Sequence, residues 1–340
     1  MTQTSFIPDD PLARFTAIHG ALNAERGWWS DAACLRFAAM TAVTCPGDPT
    51  SVAARIREVA KNIKQQSGWF GELNSPLRFI ISALLTANND SATGFIREVE
   101  SAGRIFRDAG LRRGGIYETM AILILRMQNG LEPIEQPMVD RFQTIYEQMK
   151  KYHWWLTGPD DFPACAILTG QEESAAEIGS QIEQIYQTLH SAGLAKGDPL
   201  QTAANILYLA GLPANEVATR FSELASGFRQ NGVSIWQSDY DELAILSFLD
   251  HAPDIVIERV LQNRREMERL RPKPDRSLTF NLAAGITFLE LIRLDRDLSK
   301  ITDAKAMMDM QAVINAQQAA AAAAASSAAV AASTAASGSS

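Results

Sequence analysis

Residues 178–189 read IGSQIEQIYQTL and place Ile178, Ile182, Ile185 and Leu189 four, three and four residues apart. That is the period of one face of an α-helix, whereas a half-buried strand would alternate every second residue. Gly193 follows four residues past Leu189, where a residue free to adopt a left-handed backbone ends a helix. A short loop then leads into TAANILYLAGL, residues 202–212. This run is apolar almost throughout and rich in Ala and Leu, so it reads as a buried helix. One amphipathic helix, a glycine stop and one buried helix make a hairpin.

The hairpin recurs on both sides of this stretch. Val52, Ile56, Val59 and Ile63 repeat the stripe, as do Val217, Phe221, Leu224 and Phe228; weaker versions begin at Ile96, Val139 and Val256. Taking 52, 96, 139, 178, 217 and 256 as equivalent positions gives steps of 44, 43, 39, 39 and 39 residues, the length of one helical hairpin with its loops. Gly232 stops the 217 unit as Gly193 stops its own, and Gly68 and Gly110 lie near the same point of earlier units. Buried segments follow in turn: CLRFAAMTAV (34–43), LRFIISALL (77–85), MAILIL (120–125), ACAIL (164–168), ELAILSFL (242–249) and FNLAAGITFLELI (280–292). This regular hairpin-length spacing decides for helix over strand. The sequence predicts an all-α domain of about seven repeated helical hairpins, stacked as an α-solenoid or closed into an α/α toroid. Its boundaries are a flexible N-terminus over residues 1–11, the repeat domain over 12–315 and a low-complexity tail over 316–340.

That tail, rich in Ala and Ser, carries no charge. It has too little Leu, Ile or Phe for a membrane span, and reads as a solvated, partly helical appendage. The net charge of the chain is −8, from 31 Lys plus Arg against 39 Asp plus Glu. An acidic balance argues against electrostatic binding to nucleic acid or to an anionic membrane surface. The first ten residues, MTQTSFIPDD, lack a basic start and an apolar run, so no secretory leader is expected and the protein is assigned to the cytoplasm. Three cysteines, Cys34, Cys45 and Cys165, form no C-x-x-C pair, and reduced structural thiols are expected.

The stretch HWWLTGPDDFPACAIL, residues 153–168, carries the most distinctive pattern in the chain. A His and aromatic pair is followed by Leu-Thr-Gly-x-Asp-Asp ahead of a buried helix, and LHSAGLAKGDPLQTAANIL follows ahead of the next. This pattern resembles the bacterial family called Domain of Unknown Function 4003, over roughly residues 12–295, and the alanine-rich ending is similar to endings in that family. The resemblance implies an all-helical cytosolic bacterial protein. It brings no activity and no catalytic residue.

Several residues in the loops ahead of the buried helices carry candidate chemistry. His153 with nearby carboxylates could ligate a metal or act as an acid/base pair. Because it stands four residues past Met149, it equally reads as a substitute for the glycine helix stop. Asp160 and Asp161, Asp198, and Asp239 with Asp241 precede successive buried helices, as do Asp31, Asn74, Glu118 and Asp275. Each is an ordinary helix N-cap or first-turn acid; together they form an acidic rim on one face, able to attract a cationic peptide, polyamine or divalent metal. All six tryptophans fall in or beside these loops, at 28, 29, 69, 154, 155 and 236, either as wedges between repeats or as the lining of a pocket. The basic run from Arg264 to Lys273 reads as the solvated end of a helix. Motifs for zinc peptidases, phosphate-cradling loops, dinucleotide binding and the serine nucleophile elbow are all missing.

The expected function is a scaffold that binds an unidentified protein or peptide. Its binding face comprises His153, Trp154, Trp155, Asp160, Asp161, Asp198, Trp236, Asp239 and Asp241. No cofactor and no resident metal are expected. The alternative is an α/α-toroid enzyme performing hydrolytic or acid/base chemistry with Asp and His residues at the mouth of the ring.

Overall fold

The computed structural model describes residues 6–25, 31–66, 71–153 and 156–292. These form fourteen α-helices and, among the described residues, no strand. The helices fall into seven consecutive pairs: α1 (Pro11–Ala24) with α2 (Ala32–Thr41), α3 (Pro49–Gln66) with α4 (Arg78–Ala87), and α5 (Ala92–Asp108) with α6 (Ile116–Gln128). They continue as α7 (Gln136–His153) with α8 (Phe162–Thr169), α9 (Ala175–Ser191) with α10 (Asp198–Tyr208), α11 (Ala214–Gln230) with α12 (Tyr240–Leu246), and α13 (Pro253–Met267) with α14 (Arg276–Ile292). The seven hairpins expected from the period of the sequence are therefore present, and every buried segment predicted falls on an even-numbered helix.

The two helices of a hairpin differ in burial as their sequences require. In α3 only Val52, Ala53, Ile56, Ala60 and Ile63 are buried out of 18 residues, one stripe of an otherwise polar helix. In α14 the buried residues number 14 of 17. A helix apolar all round must be covered on every side, while an amphipathic one keeps a wet face. The helices sort into two layers accordingly. Each odd helix packs on the next odd helix from α1 to α13, whereas α2 packs on α4, α6 on α8, α10 on α12, and α12 on α14. The last helix, α14, also packs on α1 and α2, and Arg36 of α2 donates to the Pro272 carbonyl just ahead of α14. One hydrophobic core runs through all the helices.

Helix ends follow the predicted chemistry. Gly110, Gly193 and Gly232 have φ of +78°, +97° and +76°, a region that costs an L side chain steric energy. Beyond them the Leu111, Leu194 and Val233 amides reach back to the Phe106, Leu189 and Phe228 carbonyls, closing the wider terminal ring that satisfies orphan carbonyls. Gly68 and the tail 316–340 lie outside the described residues.

A second repeated device is built from arginines of the odd helices. Arg14 donates to the Val43, Cys45 and Gly47 carbonyls after α2. Arg141 donates in the same way to Thr169, Gln171 and Glu173 after α8. Arg55 reaches Thr86 and Asn89 after α4, and Arg220 reaches the His251 carbonyl after α12. Each guanidinium thus donates to oxygens where its own hairpin ends, the point at which helix carbonyls lose their intrahelical partners.

Candidate functional site

The acids predicted ahead of the buried helices stand at or just before the N-terminal ends of the even helices. Most act on backbone amides. Asp31 accepts from the Ala33 amide at 2.6 Å, and Asp275 from the Leu278 amide at 2.8 Å. Asp161 and Asp239 reach back to the Gly158 and Trp236 amides at 2.9 and 2.8 Å. A carboxylate there satisfies an orphan donor and complements the helix dipole.

The residues around α8 and α10 form the most open acidic group. Asp161 sits beside Asp160 and Asp198, and desolvation, opposed by the Gly158 bond and reinforced by those two charges, pushes its pKa up to about 7. Asp198 is exposed, and its pKa is also raised, by its partial desolvation and then by Asp160. Between α8 and α10, which pack less closely than α10 and α12, lies a narrow cavity of about 40 Å³. Asp160 and Asp161 line it with Pro163, Ala164, Ile167 and Leu168 from α8, and with Thr202, Asn205, Ile206 and Leu209 from α10. Gln201 of α10 donates its side-chain amide to Asp161 Oδ1 at 3.5 Å. A larger trough of about 1120 Å³ runs between α11 and α13, with Glu223, Gln230, Glu258 and Arg265 scattered along it.

The acids of the sixth hairpin face inward instead. Asp239 is fully buried and held by Arg276 at 2.9 and 3.2 Å, joining the start of α12 to the start of α14. Asp241 is buried next to Glu242, whose carboxyl accepts from Asn281 of α14. Desolvation, then the neighbouring Asp241, drives the Glu242 pKa well above the carboxylate range. Trp236 caps this group on the outside. It is 60 % exposed, and the Arg276 guanidinium lies 4.6 Å from the centre of its ring, a cation–π contact. Trp236 therefore does not act as a wedge between repeats. Trp28, Trp29, Trp69, Trp154 and Trp155 lie outside the described residues.

His153 stands as a carboxylate-paired imidazole and not as a helix stop. It is the last residue of α7 and is buried, with Nε2 2.7 Å from Glu183 Oε2 and its ring 4.5 Å from that of Tyr186. Both partners belong to α9, so the imidazole, which does not stand in a loop, joins two odd helices. Nor does it replace a glycine stop, since Asn89 and Leu131 are the non-glycine residues with positive φ among those described. The pair with Glu183 ties the end of α7 to α9 instead. No group of three or more His, Cys, Asp or Glu among the described residues could hold a metal ion.

Gln201, Asn205, Glu242 and Asn281 are not singled out by any motif in the sequence. All are polar residues at or in the buried helices and almost inaccessible to water. The signal that marks them is their presence in otherwise apolar runs, since a buried polar group requires a partner.

Fold and site together define an all-α protein of seven helical hairpins with carboxylates gathered at one end. The chain belongs to the family described as Protein of unknown function (DUF4003), whose model matches residues 20–319. It is 26 % identical over 279 residues to the uncharacterized protein YeaA of Bacillus subtilis (strain 168), covering 78 % of this chain and 79 % of that one. No solved structure matches the chain.

Proposed function

We propose that the protein is a closed α/α ring that uses its acidic end to bind a cationic segment of a partner protein or peptide. The packing of α14 against α1 and α2 supports closure. The observation that carries the binding role is Asp161, placed beside Asp160 and Asp198 on a cavity between two loosely packed helices. Like charges held together are costly unless a cation joins them, and aligned loops are the surfaces through which repeat proteins bind. Trp236, exposed at the same end of the even helices, supplies an aromatic contact of the kind enriched at binding hot spots. The net charge of −8 disfavours nucleic acid and anionic membranes as partners, and no described helix is long and apolar enough to cross a membrane. Buried Cys34, Cys45 and Cys165, in no disulfide among the described residues, support a reducing compartment, the cytoplasm.

Fluorescence anisotropy of labelled basic, neutral and acidic peptides against the full chain tests this reading. Basic peptides bind in a salt-sensitive manner, and replacing Asp160, Asp161 and Asp198 together by Asn removes the binding. Equal affinity for acidic peptides would overturn it. A second reading, a toroid enzyme with acid/base chemistry, is favoured by one observation: Glu242 lies buried beside Asp241, and burial raises its pKa well above the ordinary carboxylate value, the direction a general acid needs. A hydrolase substrate screen in which activity disappears with Glu242→Gln would select it.

A further inference from the structure

We infer that the seam between α8 and α10 is a slot for a primary alkylammonium group, specifically a lysine side chain of the cationic segment proposed above. The peptide origin of that lysine rests on the proposed function; the ammonium site does not.

Two residues of the cavity lining carry the inference, Asn205 and Asp161, with Gln201 beside them. Asn205 lines the cavity and is only 6 % exposed, yet its Oδ1 meets no donor among the described residues. Gln201, one turn earlier on the same face of α10, is 3 % exposed, and its Oε1 likewise meets no donor among them. Its amide nitrogen is turned to Asp161 Oδ1, a long contact at 3.5 Å, while the other Asp161 oxygen takes the Gly158 amide. Buried acceptors left without donors are costly, so their placement together calls for a donor-only ligand.

An ammonium brings three N–H donors and no acceptor, matching the Asp161 carboxylate and the Asn205 amide oxygen on the cavity wall. The remaining walls, Ile167, Leu168 and Ile206 among them, are apolar and suit the methylenes that a lysine buries behind its charge. Size selects against arginine. A cavity of about 40 Å³ accepts a compact ammonium head, whereas a planar guanidinium spreads five donors in a fork. A divalent ion is disfavoured because one carboxylate and one amide supply little of the charge such ions prefer.

The test uses the full chain at about pH 8, where Asp161 is ionised, titrated by NMR with pentylamine and with one neutral hexapeptide carrying lysine, Nε-acetyl-lysine or arginine. The lysine peptide is expected to bind about tenfold or more tightly than the other two, and Asp161→Asn to weaken it by a similar factor, as for loss of a charge-assisted contact. Burial already disfavours the ionised carboxyl, so Asp161→Asn keeps the fold; Asn205→Leu fills the slot and gives the same loss by a second route. Saturable pentylamine binding lost in Asp161→Asn, without any peptide binding, supports the slot and removes the peptide reading. Basic peptides that bind wild type and Asp161→Asn equally overturn the slot and leave the peptide reading standing. Equal affinity for lysine and acetyl-lysine also overturns it.

Discussion

Arg126, near the end of α6, grips Asp90 in the loop ahead of α5 through two parallel bonds, Nε to Oδ2 at 2.7 Å and Nη2 to Oδ1 at 3.0 Å. Glu98 of α5 stands 3.7 Å from the same guanidinium and accepts the Ile134 amide at 2.8 Å. Both carboxylate side chains are largely buried, that of Asp90 only 4 % exposed and that of Glu98 8 %. Replacing Arg126 by Met strands two charges that water cannot reach. A loss of about 3–5 kcal/mol is expected, the usual cost of removing one partner of a buried pair. Urea denaturation measures it, and a loss below about 1 kcal/mol would mean that water replaces the guanidinium.

The arginines that close the hairpins give a second expectation. Arg141 serves three carbonyls beyond α8, and Ala at that position leaves them without their donor. A loss of about 2 kcal/mol is expected, in the range for hydrogen bonds to charged groups. Arg14 serves the first hairpin in the same manner, well separated in the stack from the fourth. The double substitution should add the single effects to within about 0.5 kcal/mol, as for independent sites. Lys at either position recovers little, because a single ammonium cannot reproduce the fork.

The period of the hairpins was legible because it is a packing signal: an apolar stripe every 39 to 44 residues must face its neighbours. The arginine device was not legible, although Arg55, Arg141 and Arg220 each follow a stripe's first residue by two or three positions. A count of apolar residues passes over them, and their carbonyl partners lie some 30 residues away in sequence. Helix α1 carries a shorter version of the stripe, Phe15, Ile18 and Leu22 three and four residues apart, with His19 buried beside it. Among the acids, position at one end of the fold was readable, whereas orientation was not. Asp239 and Asp241 turn into the core and Asp161 onto a cavity because α10, α12 and α14 are close together while α8 and α10 are not, a difference in spacing that no local pattern records.

Stability should depend on pH through opposed groups. Burial pushes Asp161 up to about 7, so between the unfolded carboxyl value of about 4 and that point the native state holds a proton that the unfolded chain has released. Stability from this source is complete at low pH and is lost as pH rises through about 7. Glu242 acts in the same direction. His19 opposes them: burial, then the Arg36 charge, lowers it to about 4, so its stabilising contribution is lost as pH falls toward that value. The opposing terms overlap below about pH 6.5, the unfolded histidine value, leaving a decline in stability between about pH 6.5 and 8. Urea midpoints across that range should fall in the wild type and fall less in Asp161→Asn, which removes the group facing Asp160, Asp198 and the Gly158 amide. Parallel profiles for the two proteins would show that Asp161 does not titrate there.

Gly114 links the core to the acidic end. A Cβ at this position would lie 2.8 and 2.9 Å from two ring carbons of Phe162, well inside van der Waals contact. Phe162 has little room to yield, since it is fully buried and meets Phe142 and Tyr146 edge-on at 5.4 and 5.2 Å between centroids. It is also the first residue of α8, directly after Asp161, so displacing the ring displaces the carboxylate. Gly114→Ala is expected to cost about 1–3 kcal/mol, as overpacking does, and to weaken binding of the lysine peptide. Gly20 provides the contrast. It lies on an exposed face of α1, and a methyl group there would meet nothing within 4 Å, so Gly20→Ala should stabilise by up to about 1 kcal/mol through helix propensity and leave the peptide affinity unchanged. Thermal melts and anisotropy titrations of the two variants side by side check both halves, and a Gly114→Ala protein with wild-type stability and affinity would show that Phe162 does not fix the position of Asp161.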